Sequence, residues 1–502
     1  MGKRIEGAAG GWVNRIWPVV AGIVALGLGL RFAAYSPFDI MHADELMQYL
    51  EQGNRLATGH GIIPWEARYG VRNGLIEQFL APFLWLGYRL APGTLLPLHL
   101  ARIAFEALTL CVFPAAWRLG RLTSPRHALV ALFVAAVWWE SVLFSELLLS
   151  ESLASALLLL AAAPLLAPLD SGMAGPRSLF SSGFLLVLGI LIRLQYAPFA
   201  AVLALGALRR DWVRWKAVAL GGLLALLLGA ASDLIAGRMP LAWVLINLAL
   251  NIGHGVAARF GVSGPTAYLT ELYVHLAPFS AAIMVAAFLA GGRYWPLLAA
   301  ALANLLVHSL IAHKEYRFIW LTTLTLVLLA AIATAHLVDH VAKRRAGSAV
   351  AGASPGALAA LCLIWAGASF LSEHVSGGFR AFRRGGAIAR LAIDAAADPR
   401  VCAVGIDFEL KAHVVPSLLT RQVPLSLVPP ASALRGEPLP PELANSVNAL
   451  IQTRAPNAIH GYRRVSCLPL GSERVCLYRR AGQCLADETW SYQRLLDRTS
   501  RL

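Results

Sequence analysis

Charged residues are scarce in this sequence. Only 14% of its 502 residues are Asp, Glu, Lys or Arg, and 58% are hydrophobic, whereas about a quarter of a soluble globular domain is charged. Apolar runs of about 18 or more residues recur, and each is long enough to cross a bilayer core about 30 Å thick. The sparse charge therefore argues against a soluble globule and predicts an all-α protein that crosses the membrane many times.

Several motifs of soluble enzymes are missing as well. The sequence has no Walker A loop, no G-x-G-x-x-G at a strand–helix junction and no helical H-E-x-x-H. It shows no nucleophile elbow around a serine. We therefore expect no cofactor. We also expect no metal, because His42, Asp44 and Glu45 are a single short cluster of ligand types, which is a weak metal signal.

Acidic residues are fewer than basic ones. The sequence has 43 Lys and Arg against 28 Asp and Glu, a formal net charge of +15. No nucleic-acid-binding module or basic-aromatic tract accompanies this excess, so we expect no nucleic acid partner. The basic residues lie mostly in short loops at the ends of apolar runs, where they set the orientation of the chain in its membrane.

The apolar pattern predicts about eleven transmembrane helices if the basic N-terminus is cytoplasmic. We interpret the short, charged run 75–90 as a re-entrant or interfacial helix, because the arginines that follow the next span then stay cytoplasmic. Residues 1–372 would form the transmembrane domain, with the first loop, residues 35–96, as an external catalytic loop. The predicted spans are about 16–34, 97–117, 127–145, 147–168, 178–193, 196–208, 217–236, 271–290, 295–312, 316–338 and 355–372.

The composition changes at about residue 373. We expect an amphipathic helix over 379–397 to lie on the membrane surface and the segment 373–502 to form a small external α/β domain. Short strand-like runs occur at 401–406, 423–428 and 474–480. Four cysteines there allow disulfides in an oxidising compartment, with three possible connectivities: Cys402, Cys467, Cys476 and Cys484.

The first loop contains the stretch His42-Ala43-Asp44-Glu45. A short interfacial helix is expected to begin at Asp44 and to end at Gly59. Two interpretations of Asp44 stay open. As an N-cap it would accept backbone N–H bonds, with Glu45 favoured by the helix dipole. As a general base it would take a proton from a hydroxyl at the outer surface, with its neighbour tuning its pKa.

A second charged stretch, H-K-E-Y-R-F, runs from His313 to Phe318 between two apolar runs. Ionisable groups at membrane depth are costly and indicate function. An ordinary basic loop is the alternative, but such loops favour the cytoplasmic side, and this one is predicted to be external. The basic side chains of this stretch suit a lipid-linked phosphate, whose charge they would neutralise.

Further charged residues face the same compartment. Asp233 and Arg238 flank the outer end of a predicted span, and Arg193 lies in a short turn between two others. A capped helix end explains the first pair equally well. A lone arginine such as Arg193 is often a snorkelling anchor.

Together, these stretches resemble the dolichyl-phosphate-mannose-dependent α-mannosyltransferases of GPI-anchor and N-glycan assembly, glycosyltransferase family 22 of the GT-C superfamily. The family's H-P-D-E stretch corresponds to His42–Glu45, with Ala43 in place of proline, and its H-K-E-x-R-F is complete at His313–Phe318. The resemblance runs from residue 16 to about 340. Further matching positions are Gln48, Gly59 or Gly61, Trp65, Glu66, Arg72, Asn73, Arg193 and Asp233 to Gly237.

The resemblance implies a GT-C fold and a metal-independent inverting glycosyltransferase. It would move a sugar, mannose in the family, from a polyprenyl-phosphate donor to a hydroxyl of a glycan or glycolipid acceptor. Asp44 would be the base, Glu45 would position the acceptor or the base, and the donor phosphate would bind His313, Lys314 and Arg317. Residues of the second shell or the acceptor site would be His42, Gln48, Trp65, Glu66, Arg72, Arg193, Asp233 and Arg238.

The expected location is a bacterial inner membrane, with membrane lipids around the chain and the site facing the periplasm. In a eukaryote it would be the ER membrane, with the site facing the lumen. Two other functions stay open. The same fold could transfer another sugar, such as a pentose, or the chain could flip or transport a lipid-linked sugar. A transporter predicts charges at the midplane of several spans and often an internal repeat, whereas the charges here gather at the outer rim.

Overall fold

The structure, a computed structural model, describes residues 3–168, 171–347, 352–434, 437–453 and 459–499. A body of helices carries a small C-terminal domain built on a sheet, which confirms the predicted architecture. The helices of the body are Lys3–Ala34, Glu51–Thr58, Trp65–Tyr69, Leu75–Leu90, Leu96–Thr109, Val112–Arg121, Pro125–Val137, Trp139–Glu146, Ser150–Leu166, Pro176–Ile192, Ala197–Leu208, Trp212–Ile235, Ala242–Leu248, Ala267–Leu276, Ser280–Phe288, Trp295–Leu310, Trp320–Ala346 and Pro355–Ser376.

Helix length decides how many spans can be assigned. Six segments of the described chain are long and apolar enough to cross a membrane: Ile16–Ala34, Leu96–Arg121, Trp212–Ile235, Ala267–Phe288, Tyr316–Ala346 and Pro355–Ser376. A seventh joins Pro125–Val137 to Trp139–Glu146 through a 58° bend. The other runs predicted to cross form shorter helices, and their crossing stays a prediction. They are Ser150–Leu166, Pro176–Ile192, Leu194–Leu208 and Trp295–Leu310.

Small residues allow two of these helices to pack closely. A Cβ atom at Gly183 would lie 1.9 Å from the carbonyl oxygen of Val218, and one at Gly221 would lie 1.9 Å from that of Phe180. The helices Pro176–Ile192 and Trp212–Ile235 therefore meet backbone to backbone, as small residues permit in membrane proteins.

The first loop is buried, which differs from the interfacial helix that we expected. A π-helical turn, Glu45–Leu50, leads into the helix Glu51–Thr58, which ends as predicted at Gly59 with φ 78°. Every residue from 45 to 54 is buried, including the polar residues Gln48, Glu51, Gln52 and Asn54. The loop is buried because the helix Leu75–Leu90 packs on one side of it and the C-terminal domain contacts it on another.

The C-terminal domain contains a five-stranded mixed sheet. Its strands are β1 (Val404–Asp407), β2 (Leu425–Val428), β3 (Ala449–Thr453), β4 (Arg463–Leu470) and β5 (Glu473–Arg479), in the spatial order β2-β1-β3-β5-β4. β1 pairs in parallel with β2 and β3, whereas β5 is antiparallel to β3 and β4. The sequence predicted β1, β2 and β5 but not the other two. The α-helices of the domain are Gly378–Phe382, Gly386–Ala397, Ala431–Leu434, Pro441–Ser446 and Tyr492–Thr499.

The amphipathic helix predicted over 379–397 does not lie on a membrane surface. It is two helices, and the apolar face of the second, with Ile388 and Leu391, is buried in the same core as the sheet residues Val404, Ile406 and Val475. The prediction was wrong because the apolar face of a sheet covers such a helix as well as lipid does.

Two disulfides cross-link the C-terminal domain: Cys402–Cys484 and Cys467–Cys476. We expect the double variant Cys402→Ser/Cys484→Ser to lose about 2–4 kcal/mol of domain stability, because this bridge closes a long loop in the unfolded chain. Protease cleavage of the domain against urea concentration, in nanodisc-embedded protein, measures the loss. Cys362→Ser, at a free cysteine of the last span, is the control. Equal urea midpoints for the double variant and the wild type would contradict this expectation.

Candidate functional site

The two charged stretches of the sequence meet in the structure. Nη2 of Arg317 lies 2.7 Å from Oδ2 of Asp44, and Nδ1 of His42 lies 3.4 Å from Oε2 of Glu315. The second stretch reaches this position because the helix Trp295–Leu310 ends just before it and the long helix Trp320–Ala346 begins just after it. The first loop and the turn at 313–317 thus lie at the same end of the helical body.

Arg317 is the centre of a buried network of charges. Its side chain is 5% exposed. Besides Asp44, its Nε lies 2.7 Å from Oε2 of Glu315 and 3.6 Å from Oε1 of Glu151. Glu151 also lies 3.1 Å from Nη1 of Arg193. Three carboxylates therefore share two guanidinium groups, and the charge-assisted hydrogen bonds among them fix the geometry of Asp44.

The surroundings of Asp44 decide between its two interpretations. Its side chain makes no capping hydrogen bond to the helix that follows, so the structure does not support the N-cap. Burial works to raise the pKa of Asp44, but the charges of Arg317 and Arg72 outweigh it and hold the pKa below its ordinary value. Asp44 is therefore a carboxylate at neutral pH, able to accept a proton.

Asp44 opens onto a cavity of about 380 Å³ between the body and the C-terminal domain. The rings of Trp65 and Phe260 stack on its wall with centroids 6.4 Å apart and planes at 21°. Apolar walls with a few convergent polar groups are typical of ligand sites. The lining comprises Ala43, Asp44, Met47, Pro64, Trp65 and Glu66 of the first loop, Val256, Arg259 and Phe260, and Lys411, Ala412 and Leu496 of the C-terminal domain.

Glu66 is a second carboxylate at this cavity. Nε2 of Gln48 donates to its Oε1 over 2.9 Å. Burial, with the nearby charge of Asp44, raises the pKa of Glu66 to about 7. The two acids thus differ in protonation at neutral pH, so Glu66 can either donate or accept a hydrogen bond there while Asp44 only accepts.

Glu45 lies away from the cavity. It is fully buried, and its Oε2 accepts from the backbone N–H of Leu148 over 3.0 Å and lies 3.8 Å from Nη2 of Arg102. Glu45 is therefore not among the residues that line the cavity, and its expected role in positioning the acceptor or the base stays a prediction. Its carboxylate ties the first loop to the body.

His313 and Lys314 contact a neighbouring loop. Nδ1 of His313 bonds to the carbonyl of Gly261 over 3.1 Å and its Nε2 to Oε1 of Glu315 over 3.0 Å. Nζ of Lys314 donates to the carbonyl of Ser263 over 3.2 Å. Both residues thus hold the segment that follows Phe260, and only His313 touches the charge network, through Glu315.

Asp233, Arg238 and Arg72 support the far side of the first loop. Asp233 accepts from Nδ2 of Asn73 over 2.9 Å and from the N–H of Leu241 over 2.7 Å. Arg238 donates to the carbonyls of Arg72 and Ala67, each over 3.2 Å. Nη1 of Arg72 in turn donates to the hydroxyl of Tyr49 over 3.3 Å. These residues hold the loop in place without lining the cavity.

Sequence reasoning missed Glu151, Glu315 and Lys411 as site residues. Glu151 is a lone carboxylate in the apolar run 147–168, and an ionisable residue at membrane depth is a recognised signal of function. Glu315 lies in the second charged stretch, but the motif alone did not indicate a role for it. Lys411 could not be found, because only the folded C-terminal domain brings it to the cavity.

Comparison with known proteins gives a family and a fold. Residues 23–376 match the Alg9-like mannosyltransferase family. Two solved structures of ArnT from Cupriavidus metallidurans, one bound to undecaprenyl phosphate and one in the apo state, resemble the chain with TM-scores of 0.56 and 0.54. Both are 14% identical to it; the alignments cover 95% of this chain and 99% and 100% of theirs. Comparison with curated protein sequences finds no match.

These findings confirm the resemblance derived from the two charged stretches. The likeness to ArnT shows the GT-C fold, and the family match, from residue 23 to residue 376, includes the first loop and the turn at 313–317. The family match therefore favours a transferase over a transporter of lipid-linked sugars. The chain is a membrane glycosyltransferase and belongs to the Alg9-like mannosyltransferase family.

Proposed function

We propose that this glycosyltransferase moves mannose from a polyprenyl-phosphate donor to a hydroxyl of a glycan or glycolipid acceptor, with Asp44 as the base. The observation that carries the proposal is the ion pair of Asp44 with Arg317, 2.7 Å long, at the wall of a cavity large enough for a sugar. Asp44 is ionised there and faces the space that an acceptor would fill.

The reaction is a single displacement at C1 of the transferred sugar. The acceptor oxygen attacks C1 from the face opposite the phosphate, forming a new C1–O bond. The bond from C1 to the phosphate oxygen breaks, and its electron pair leaves with the polyprenyl phosphate. The hydroxyl proton passes to Asp44, as in general-base catalysis. One displacement inverts the configuration at C1.

Basic groups near Asp44 suit the phosphate of the donor. Arg317 is buried, yet among the described residues its Nη1 has no hydrogen-bond partner, so one guanidinium edge is free to bind an anion. Lys314, next to it in sequence, adds positive charge for the leaving phosphate, and His313 lies beside them as a hydrogen-bonding group. The likeness to ArnT, whose structure holds undecaprenyl phosphate, supports a lipid-phosphate donor.

Two observations support an external location for the site. The first loop, the turn at 313–317 and the C-terminal domain contact one another, so they share one side of the membrane. The C-terminal domain contains two disulfides, which persist in oxidising compartments such as the periplasm or the ER lumen. Both agree with the predicted orientation, with a cytoplasmic N-terminus.

A donor panel tests this function. Purified protein in nanodiscs is incubated with octyl α-mannoside and with polyprenyl-phosphate donors that carry labelled mannose, glucose or a pentose. We expect labelled disaccharide and free polyprenyl phosphate in equal amounts, with mannose as the best donor. Transfer of the pentose alone would show that the donor sugar is a pentose and not mannose. No transfer from any donor, together with movement of donor across the bilayer of sealed proteoliposomes that contain the protein, would favour the flippase and contradict the proposal.

A further inference from the structure

The last helix of the chain, Tyr492–Thr499, holds part of the first loop. Oε1 of Gln493 accepts from the backbone N–H of Ile63 over 2.7 Å, and its Nε2 donates to the carbonyl of the same residue over 3.1 Å. One turn later, Asp497 pairs with Arg68. Gln493 thus provides a hydrogen-bond partner for both the backbone N–H and the backbone carbonyl of Ile63.

A second contact from the C-terminal domain holds the neighbouring residue. Glu51 is fully buried, and its carboxylate accepts from the N–H of Ile62 over 2.9 Å and from the N–H of Ser417 over 3.0 Å. Nε2 of Gln52 also donates to the carbonyl of Ile62 over 3.1 Å. The backbone at 62–63 is therefore fixed by side chains on both sides, one set from the loop itself and one from the C-terminal domain.

This fixed backbone leads directly into the cavity wall. Pro64, Trp65 and Glu66 follow it and line the cavity. Leu496 lies one turn beyond Gln493 on the same helix and lines the cavity too. The hydroxyl of Tyr492, from that helix, donates to the carbonyl of Lys411, another lining residue. The last helix therefore places residues on two walls of the cavity, while Asp44 and the charge network are held by other elements.

We propose that the last helix forms part of the acceptor site and that Gln493 is a positioning residue for Trp65 and Glu66; this rests on the proposed function. The stacked rings of Trp65 and Phe260 offer an apolar platform for a sugar ring. Glu66 and Lys411 offer an acceptor and a donor for its hydroxyls. The acceptor is accordingly a saccharide whose ring lies on the aromatic wall, with one hydroxyl directed at Asp44. Arg317, the proposed ligand of the donor phosphate, is held by Asp44, Glu151 and Glu315 and not by the last helix.

The proposal is tested in full-length protein in nanodiscs with octyl α-mannoside as the acceptor. Gln493→Ala should raise the acceptor KM about tenfold, since two hydrogen bonds that fix Ile63 are lost, and should leave the donor KM and kcat within about twofold of wild type. Gln493→Glu keeps an oxygen for the Ile63 N–H but cannot donate to its carbonyl, so it should show a smaller rise. Arg498→Ala, at an exposed position of the same helix, is the control.

Hydrogen–deuterium exchange separates this proposal from the donor chemistry. In Gln493→Ala, the amides of Ile62, Ile63, Trp65 and Glu66 should exchange faster than in wild type while those of the sheet stay protected. Unchanged exchange at 62–66, or faster exchange with an unchanged acceptor KM, would overturn the positioning role. A wild type inactive with every donor, together with faster exchange in the variant, would overturn both the acceptor assignment and the proposed function but leave the contact of Gln493 with the loop established.

Discussion

Asp44→Asn is expected to lower the rate of sugar transfer by about 10²- to 10⁴-fold, the usual contribution of a general base. An amide has nearly the shape of the carboxylate but cannot take the acceptor's proton. Arg317 keeps Glu315 and Glu151 as partners in this variant, so the variant should still fold. Donor binding should survive, because the phosphate contacts lie on other residues. The measurement is single-turnover transfer from labelled polyprenyl-phosphate-mannose.

Asp39→Asn is the matched control for this experiment. Asp39 lies in the same loop and accepts from the hydroxyl of Ser36 over 2.7 Å, without lining the cavity, so its variant should transfer at the wild-type rate. Near-normal transfer by well-folded Asp44→Asn would show that another group is the base. Glu66 would then be the first candidate, because it lines the cavity and its pKa is raised to about 7.

Arg317→Lys is expected to raise the donor KM about tenfold or more although it keeps the positive charge. An ammonium group is a point charge and cannot reproduce the planar fork that reaches Asp44 and Glu315 at once while leaving Nη1 free. Arg317→Ala should also destabilise the fold by about 3–5 kcal/mol, since it leaves buried carboxylates without their partner. The donor KM and thermal unfolding in nanodiscs measure the two effects.

Arg317→Lys should also shift the acid limb of the pH–rate profile to higher pH. Arg317 lowers the pKa of Asp44, so a weaker pairing in Arg317→Lys raises that pKa. Asp44 then becomes protonated at a higher pH, and activity should fall off at a higher pH than in wild type. Arg383→Lys is the control, because Arg383 pairs with Glu146 over 2.9 Å outside the cavity. An unchanged donor KM and pH profile in Arg317→Lys would remove Arg317 from the site.

The membrane body could be predicted because long apolar runs have few alternatives to transmembrane helices. The strands of the sheet were harder to predict from the sequence. β1, β2 and β5 stand out as apolar or β-branched runs, but β4 begins with two arginines and contains Pro469, and most of its residues are exposed at the sheet edge. The run of β3, Ala449–Thr453, is too short to be told from a helix turn by periodicity. The segment 379–397, predicted as one helix, shows the same limit, since its pattern does not say whether lipid or a sheet covers its apolar face.

The site was predictable where its chemistry is concentrated in short stretches. The charges of 42–45 and 313–318 are too costly at membrane depth to be incidental, and the structure brings them together. The roles of neighbouring carboxylates were not predictable. Asp44 faces the cavity and Glu45 does not, and a π-helical turn, which changes the angle between successive side chains, begins between them. No local pattern in the sequence indicates that turn.

The stereochemistry of transfer tests the central claim most directly. An inverting transferase that makes α-mannosides needs a β-linked donor, because a single displacement with Asp44 as base reverses the configuration at C1. NMR of the disaccharide formed by wild-type protein from polyprenyl-phosphate-β-mannose and octyl α-mannoside should therefore show an α linkage, together with one released polyprenyl phosphate for each disaccharide. A β linkage would indicate two displacements through a covalent intermediate, and it would contradict the single-base mechanism.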